Sequence, residues 1–227
     1  DQFDAKTLIA VENTEHTIDR YEDRLGAYLI DISAQNMSHE ESREVSKLLQ
    51  AIGDFERISD HAVNLTEVAQ ELKDKDISFS PAAQVETRTM RAAVREIVDL
   101  ACDVFTRNDV ILAEQVEPLE EVVDRLRANI KANHVERLRA GVCTIELGFV
   151  LSDLLTNLER ISDHCSNIAA NVIEMERTGS PVTHAYMQQV HEGKASPRFQ
   201  GLYEEYLQKY DIACPVPATA ALAETVN

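Results

Sequence analysis

Tryptophan is absent from the 227 residues, and glycine (7), proline (6) and the aromatics (5%) are scarce. So few turn-formers point away from turn-rich folds and toward long uninterrupted helices. Basic charge is short as well: 22 Lys and Arg stand against 40 Asp and Glu, a net −18. That excess argues against nucleic acid or anionic lipid as a partner, because either would be repelled over much of the surface. Cations and basic protein patches suit it better. No run of 18 apolar residues and no signal-peptide pattern occurs. The four cysteines (Cys102, Cys143, Cys165, Cys214) show no C-x-x-C spacing. They read as reduced core residues of a cytosolic protein, not as staples or zinc ligands. Nucleophile motifs, glycine-rich phosphate loops and dinucleotide fingerprints are missing too.

What is present is a repeat. Glu56-Arg57-Ile58-Ser59-Asp60-His61 returns unchanged as Glu159-Arg160-Ile161-Ser162-Asp163-His164, and Asn64 and Asn167 follow at the same place in both copies. The chain is therefore built from two related halves. Each copy keeps a carboxylate, a second carboxylate one helical turn on, and a carboxamide one turn further. This polar stripe is the best candidate for the working part of the molecule.

Hydrophobic content of 44% and charged content of 27% fit a folded globular protein. Apolar residues recur with helical period through Ala51, Phe55, Ile58, Ala62, Leu65, Ala69 and Leu72. They do so in the same phase through Leu147, Leu151, Leu154, Leu158, Ile161, Cys165, Ile168, Val172 and Met175. A matching pair of seams lies upstream: Val11, Thr14, Ile18, Tyr21, Leu25 and Tyr28, then Val116, Leu119, Val123, Leu126 and Ile130. Ser38 with Glu41 is a capping box, and Ser80-Pro81 is an N-cap followed by Pro at the first helical position. Arg107-Asn108-Asp109 reads as a turn with a new N-cap, Gly141 separates two helices, and Thr178-Gly179-Ser180-Pro181 ends the repeat region.

Five helices are expected, near 3–35, 39–75, 82–106, 109–139 and 142–177. The fold class is all-α. Residues 1–77 form the first repeat, 78–178 the second, 179–212 a C-terminal helical segment and 213–227 a disordered tail. The second half holds three helices against two in the first. The repeat thus places a further helix ahead of Asp1, and with no Met to open it the chain reads as an excised piece. The closing amphipathic segment (Phe199, Leu202, Tyr203, Tyr206, Tyr210) either covers the face that helix leaves or docks on the bundle.

Each half also carries an acidic pair in its other long helix, Glu15 with Asp19 and Glu120 with Asp124. With 40 acidic residues, about seven such i,i+4 pairs arise by chance, so one copy means little. Four copies in two matched registers mean more: shifts of 105 and 103 residues align them all. Two ionised carboxylates on one helix face repel unless something positive lies between them. Pairs facing each other from adjacent helices would offer an oxygen-rich site for Mg, Mn or Fe, with Zn if His61 or His164 joined. The competing reading is a solvated face paired to Arg20, Arg57, Arg125 and Arg160. If Phe55 and Ile58 face the core, Glu56, Asp60 and Asn64 point away from it. A cation there would sit partly hydrated on the surface, which suits regulation better than catalysis.

At the doubled motif the chain resembles the PhoU family, whose signature is a twice-repeated L-E-R-I-G-D-H-x-x-N. Ser59 and Ser162 stand here for the usual Gly, and Phe55 for the first Leu. The closing stretch Phe199–Tyr210 resembles the PhoU-like cytoplasmic domains fused behind the membrane part of bacterial Na/phosphate cotransporters. The resemblance implies two tandem helical bundles, frequently dimeric, the first lacking its first helix. It implies metal binding at Glu15, Asp19, Glu56, Asp60 and Asn64 in one half, and at Glu120, Asp124, Glu159, Asp163 and Asn167 in the other. It also implies a regulator of Na-coupled phosphate transport, tethered at the cytoplasmic face through a transporter segment, or a free-standing adaptor that represses a phosphate-signalling protein. An enzyme using a surface di-metal site is the weaker third reading, disfavoured by the open geometry and the lack of a positioned acid–base group. The Gly-to-Ser changes are expected to narrow the approach to the motif aspartates.

Overall fold

The computed structural model describes residues 4–177 and 196–212. Among them are seven helices and no strand: α1 (Ala5–Ser33), α2 (His39–Asp74), α3 (Pro81–Arg107), α4 (Val110–Ala113), α5 (Val116–Arg139), α6 (Ile145–Arg177) and α7 (Pro197–Lys209). Local chemistry sets their ends. The Ser38 side chain accepts from the Glu41 N–H while the Glu41 carboxylate accepts from the Ser38 N–H, closing the expected box. Ser80 caps α3 with Pro81 behind it, and Asn108 closes the same helix at φ 51°. Asp109 then caps α4 by accepting from Ile111 and Leu112. Gly141, at φ 68°, makes the turn between α5 and α6, a conformation that costs glycine least.

One expected helix is two. The 109–139 segment breaks between Ala113 and Val116. Pro118 explains the break: it has no N–H to give the residue-114 carbonyl, and its ring collides with that carbonyl in a continuous helix. The Thr178–Pro181 terminator, the tail from Cys214 and the side chain of Met175 lie outside the described residues.

Helices α3, α5 and α6 pack into a bundle with α4 against them, α1 lies along α2, and α2 and α6 join the halves. The core sits in the second half, where Met90, Ile97, Leu119, Ile130 and Leu155 are fully buried. The expected seam of α1 is only partly a seam. Val11 and Ile18 are half-buried, but Thr14 is exposed, as are Tyr21 (61%), Leu25 (44%) and Tyr28 (62%). Their counterparts Leu126 (3%) and Ile130 (0%) are buried by packing with α3, and Asn133 bonds Glu86 of that helix at 2.7 Å. Among the described residues α1 packs on α2 alone, whereas α5 packs on both α3 and α6, and that accounts for the difference. The α7 segment does not pack on α1: it docks on α5 and latches to α3 and α4. Lys209 and the Tyr210 hydroxyl both reach Glu96, and Arg198 pairs with Glu114 at 3.0 Å. Of the three described cysteines, only Cys165 is a core residue. Cys102 is exposed, and Cys143 lies beside His134, its sulfur 3.6 Å from Nδ1.

Candidate functional site

The second-half carboxylates converge. Helices α5 and α6 form an antiparallel hairpin, so the first turns of α5 face the middle of α6. Glu120 is only 9% exposed. Burial first, and then Glu117, Asp124, Glu121 and Asp163, push its carboxyl up to about 9. Every charged neighbour that shifts it is an acid. Asp163 is also raised, by burial, Glu159 and Asp124, with Arg160 opposing. Its link to Arg160 is an exposed contact of 3.4 Å. Glu159 instead has an interhelical partner, Arg127 at 3.0 Å.

The first half is arranged differently. Glu56 is raised by burial and by Asp60, and then by Glu22 of α1. Glu15 is half-buried beside His16 Nδ1 at 3.0 Å, and Asp19 is exposed. The open, surface geometry expected for the stripe describes Asp19, Asp60 and Asp124. It does not describe Glu120 or Glu159, which the α5–α6 hairpin encloses. Ser59 and Ser162 are buried in their helices, so they do not narrow the approach to the aspartates.

The two asparagines and both histidines do something else. His61 Nδ1–H donates to Asn157 Oδ1 at 2.9 Å, and Asn64 Nδ2 donates to the same oxygen at 3.2 Å. Asn157 gives its own Nδ2–H to the Asp153 carbonyl, which fixes Oδ1 as the acceptor. Reciprocally, His164 Nδ1–H donates to Asp54 Oδ1 at 2.9 Å, and Asn167 Nδ2 to that same oxygen at 3.3 Å. The rings of His61 and His164 stack between the two grips, centroids 5.8 Å apart. The shift of 103 residues carries Asp54 onto Asn157, His61 onto His164 and Asn64 onto Asn167. The motif's His and Asn thus form a pseudo-twofold clasp between α2 and α6.

Several functional residues were not singled out from sequence: Arg127, Glu22, Asp54, Asn157, Glu117 and Glu121. A signal existed for the first four. Arg127 and Glu22 each lie seven residues beyond Glu120 and Glu15, and Asp54 and Asn157 each lie seven before their half's histidine. Two helical turns keep such residues on one face.

The donor set fits a hard cation. Glu117, Glu120 and Glu121 each bring a carboxylate oxygen within 4.8 Å of the others. A cation there would take the place of the proton that Glu120 otherwise keeps, and all-oxygen ligation suits Mg, Mn or Fe. Nδ1 of each histidine is engaged in the clasp, which weakens the case for Zn at this cluster.

The PhoU domain model matches residues 1–69 and 87–172 of the chain. The phosphate-specific transport system accessory protein PhoU homolog 1 of Thermotoga maritima is 31% identical over 150 residues, 66% of this chain and 63% of the relative. The corresponding homolog of Pseudomonas aeruginosa is 32% identical over 142 residues, 63% of this chain and 57% of its own length. The chain thus spans less than two thirds of these relatives. The crystal structure of PhoU from Pseudomonas aeruginosa superposes with a TM-score of 0.71 at 27% identity, covering 77% of this chain and 83% of that one.

Proposed function

We propose, for a chain that belongs to the PhoU domain family, that it is an accessory regulator of phosphate homeostasis, working by binding and not by catalysis. The observation that carries this is the duplicated motif helix in a fold shared with PhoU, joined to relatives named as accessory proteins of phosphate-specific transport. The acidic surface would recognise a basic patch on a transporter or a phosphate-signalling protein. Expression in a cell lacking its own PhoU accessory protein should restore repression of a phosphate-starvation reporter. A reporter that stays fully on, with the protein folded and abundant, sinks the reading.

A second reading, control of a Na-coupled phosphate cotransporter from the cytoplasmic face, draws support from the docked, tyrosine-bearing α7. The relatives' names favour the accessory role over it. Co-purification with one transporter class and not the other separates the two.

We also propose that cation binding at the acidic stripes is part of the regulation, with Fe, Mn or Mg held at Glu120 by the acids around it (Glu117, Glu121, Asp124 and Asp163) in one half and by Glu56 and Asp60 in the other. Elemental analysis after incubation with each metal should show bound metal that falls in the Asp60→Asn, Asp163→Asn double variant. Wild type and variant both returning empty would leave the stripes as solvated faces.

A further inference from the structure

Cys143 stands in the short connection between α5 and α6, one residue ahead of Thr144, whose hydroxyl accepts from the Leu147 N–H at 3.2 Å. Its side chain is half-buried, and the sulfur lies 3.6 Å from Nδ1 of His134 on α5. That imidazole is 8% exposed, and its Nε2 has no hydrogen-bond partner. Gly148 of α6 makes the seat for the ring. A Cβ there would lie 2.6 Å from Nε2, so a larger residue would push the ring away. The imidazole is therefore held with one nitrogen sealed and the other facing the sulfur.

Burial, and then Arg137, hold His134 below its usual range, with Glu86 opposing. Arg137 and Glu86 are themselves an ion pair at 2.8 Å. The ring is thus neutral near pH 7 and carries one proton. On Nε2 that proton would be a buried donor without an acceptor, the rarer and costlier kind of orphan. It belongs on Nδ1, from which the N–H donates to the Cys143 sulfur. A donor so placed favours the thiolate over the thiol. The other charged groups around the turn are paired, Lys75 with Glu146 at 2.9 Å and Arg139 with Glu136 at 2.6 Å.

The other described cysteines differ. Cys165 is fully buried. Cys102 is exposed, yet desolvation by its neighbours, and then Asp99 and Asp103, raise its thiol. Among the described cysteines, Cys143 alone combines access with a donor aimed at its sulfur.

We propose that Cys143 is a reversible modification site that reacts with low-molecular-weight disulfides, with His134 as its positioning residue. The Cys143 thiolate attacks one sulfur of the disulfide, that S–S bond breaks, and a mixed disulfide forms. The departing thiolate takes up the proton that Cys143 released to water, so no further oxidant is needed. The modified side chain would stand three residues from Glu146, whose pair with Lys75 ties the start of α6 to the end of α2. This site shares no residue with the cation-binding proposal.

Glutathione disulfide at neutral pH, with the mixed disulfide followed at each cysteine by peptide mass, tests this on the unaltered protein. A gain of about tenfold in thiolate costs about threefold in intrinsic nucleophilicity, so Cys143 should react at least about threefold faster than Cys102. Exposure alone predicts the reverse order. The pH of half-maximal rate at Cys143 should rise in Gly148→Ala, which displaces the ring, and in His134→Phe, which removes the donor. The Cys102 rate should stay as it was in both. Cys102 reacting as fast as Cys143 would overturn the proposal, and that result needs no substitution. A Cys143 midpoint unmoved in either folded variant would reduce His134 to core filling and overturn its part.

Discussion

Residue 22 in the first half and residue 127 in the second stand at matching places on matching helices, 105 apart, and carry opposite charges. Arg127 pairs with Glu159, while Glu22 adds to the acids around Glu56. The same divergence recurs at the clasp, where a carboxylate (Asp54) receives His164 and a carboxamide (Asn157) receives His61. It recurs again on the outer helices, with Tyr21 and Leu25 exposed where Leu126 and Ile130 are buried. Duplication kept the scaffold and let its electrostatics drift. The second half became the packed one and neutralised Glu159 with Arg127, while keeping only acids around Glu120. The first half instead put a further acid, Glu22, beside Glu56.

Matched substitutions test that contrast, and the outer helices should show the largest effect. Ile130→Ala removes a fully buried side chain from the bundle core and should cost about 2–4 kcal/mol in urea unfolding. Leu25→Ala, at the equivalent position, should stay within about 0.5 kcal/mol. Equal costs would mean that the α1 face is covered in solution.

The clasp comes next. Asp54→Ala deprives both His164 and Asn167 of their acceptor in a part-buried setting and should cost about 2–3 kcal/mol. Asn157→Ala strips His61 and Asn64 in the same way but removes a neutral acceptor, so about 1–2 kcal/mol is expected. If neither substitution moves the unfolding midpoint, the clasp is incidental to holding the halves together.

Helix ends and the repeat were legible because their causes are local. A capping box spans four residues, and the stripe of α6 is buried or half-buried from Leu147 to Val172. The break before Val116 was legible too, through Pro118, had its lost N–H been weighed against the periodicity. The carboxylate pairs were visible as spacing, but their surroundings were not. Whether Glu120 is enclosed or open depends on how the α5–α6 hairpin closes, and nothing in its own helix decides that. The clasp made by the histidines was not legible, because an i,i+3 pattern cannot show that an acceptor waits on the other half, about 100 residues away.

Glu120 gives a pH test of the second-half cluster. Its carboxyl ionises at 4.5 in the unfolded chain and only near 9 in the folded one. Between those values the folded state holds a proton that unfolding releases, so its contribution to stability is full below 4.5 and is lost as pH rises toward 9. Glu120→Gln should remove that slope and raise stability by about 1–2 kcal/mol at pH 8 in metal-free buffer. Added Mg or Mn should narrow the gap by stabilising only the wild type. Identical pH profiles for the two proteins would show that Glu120 is solvated and that the cluster is an ordinary surface.

Glu22→Arg carries the second half's solution into the first. An arginine two turns beyond Glu15 would face Glu56 as Arg127 faces Glu159, and an acid–acid contact would become an ion pair. Because Glu56 is only half-buried, the gain should be small, about 0.5–1 kcal/mol, and should shrink in high salt. Its sharper consequence is for cations. Removing one carboxylate and adding a guanidinium beside Glu56 and Asp60 should lower the metal retained by the first half and leave the second half's share unchanged. Arg127→Glu should raise the second half's share in return. If both variants gain stability yet hold as much metal as the wild type, the charge at these two positions settles helix packing alone, and the cation-binding difference between the halves lies elsewhere.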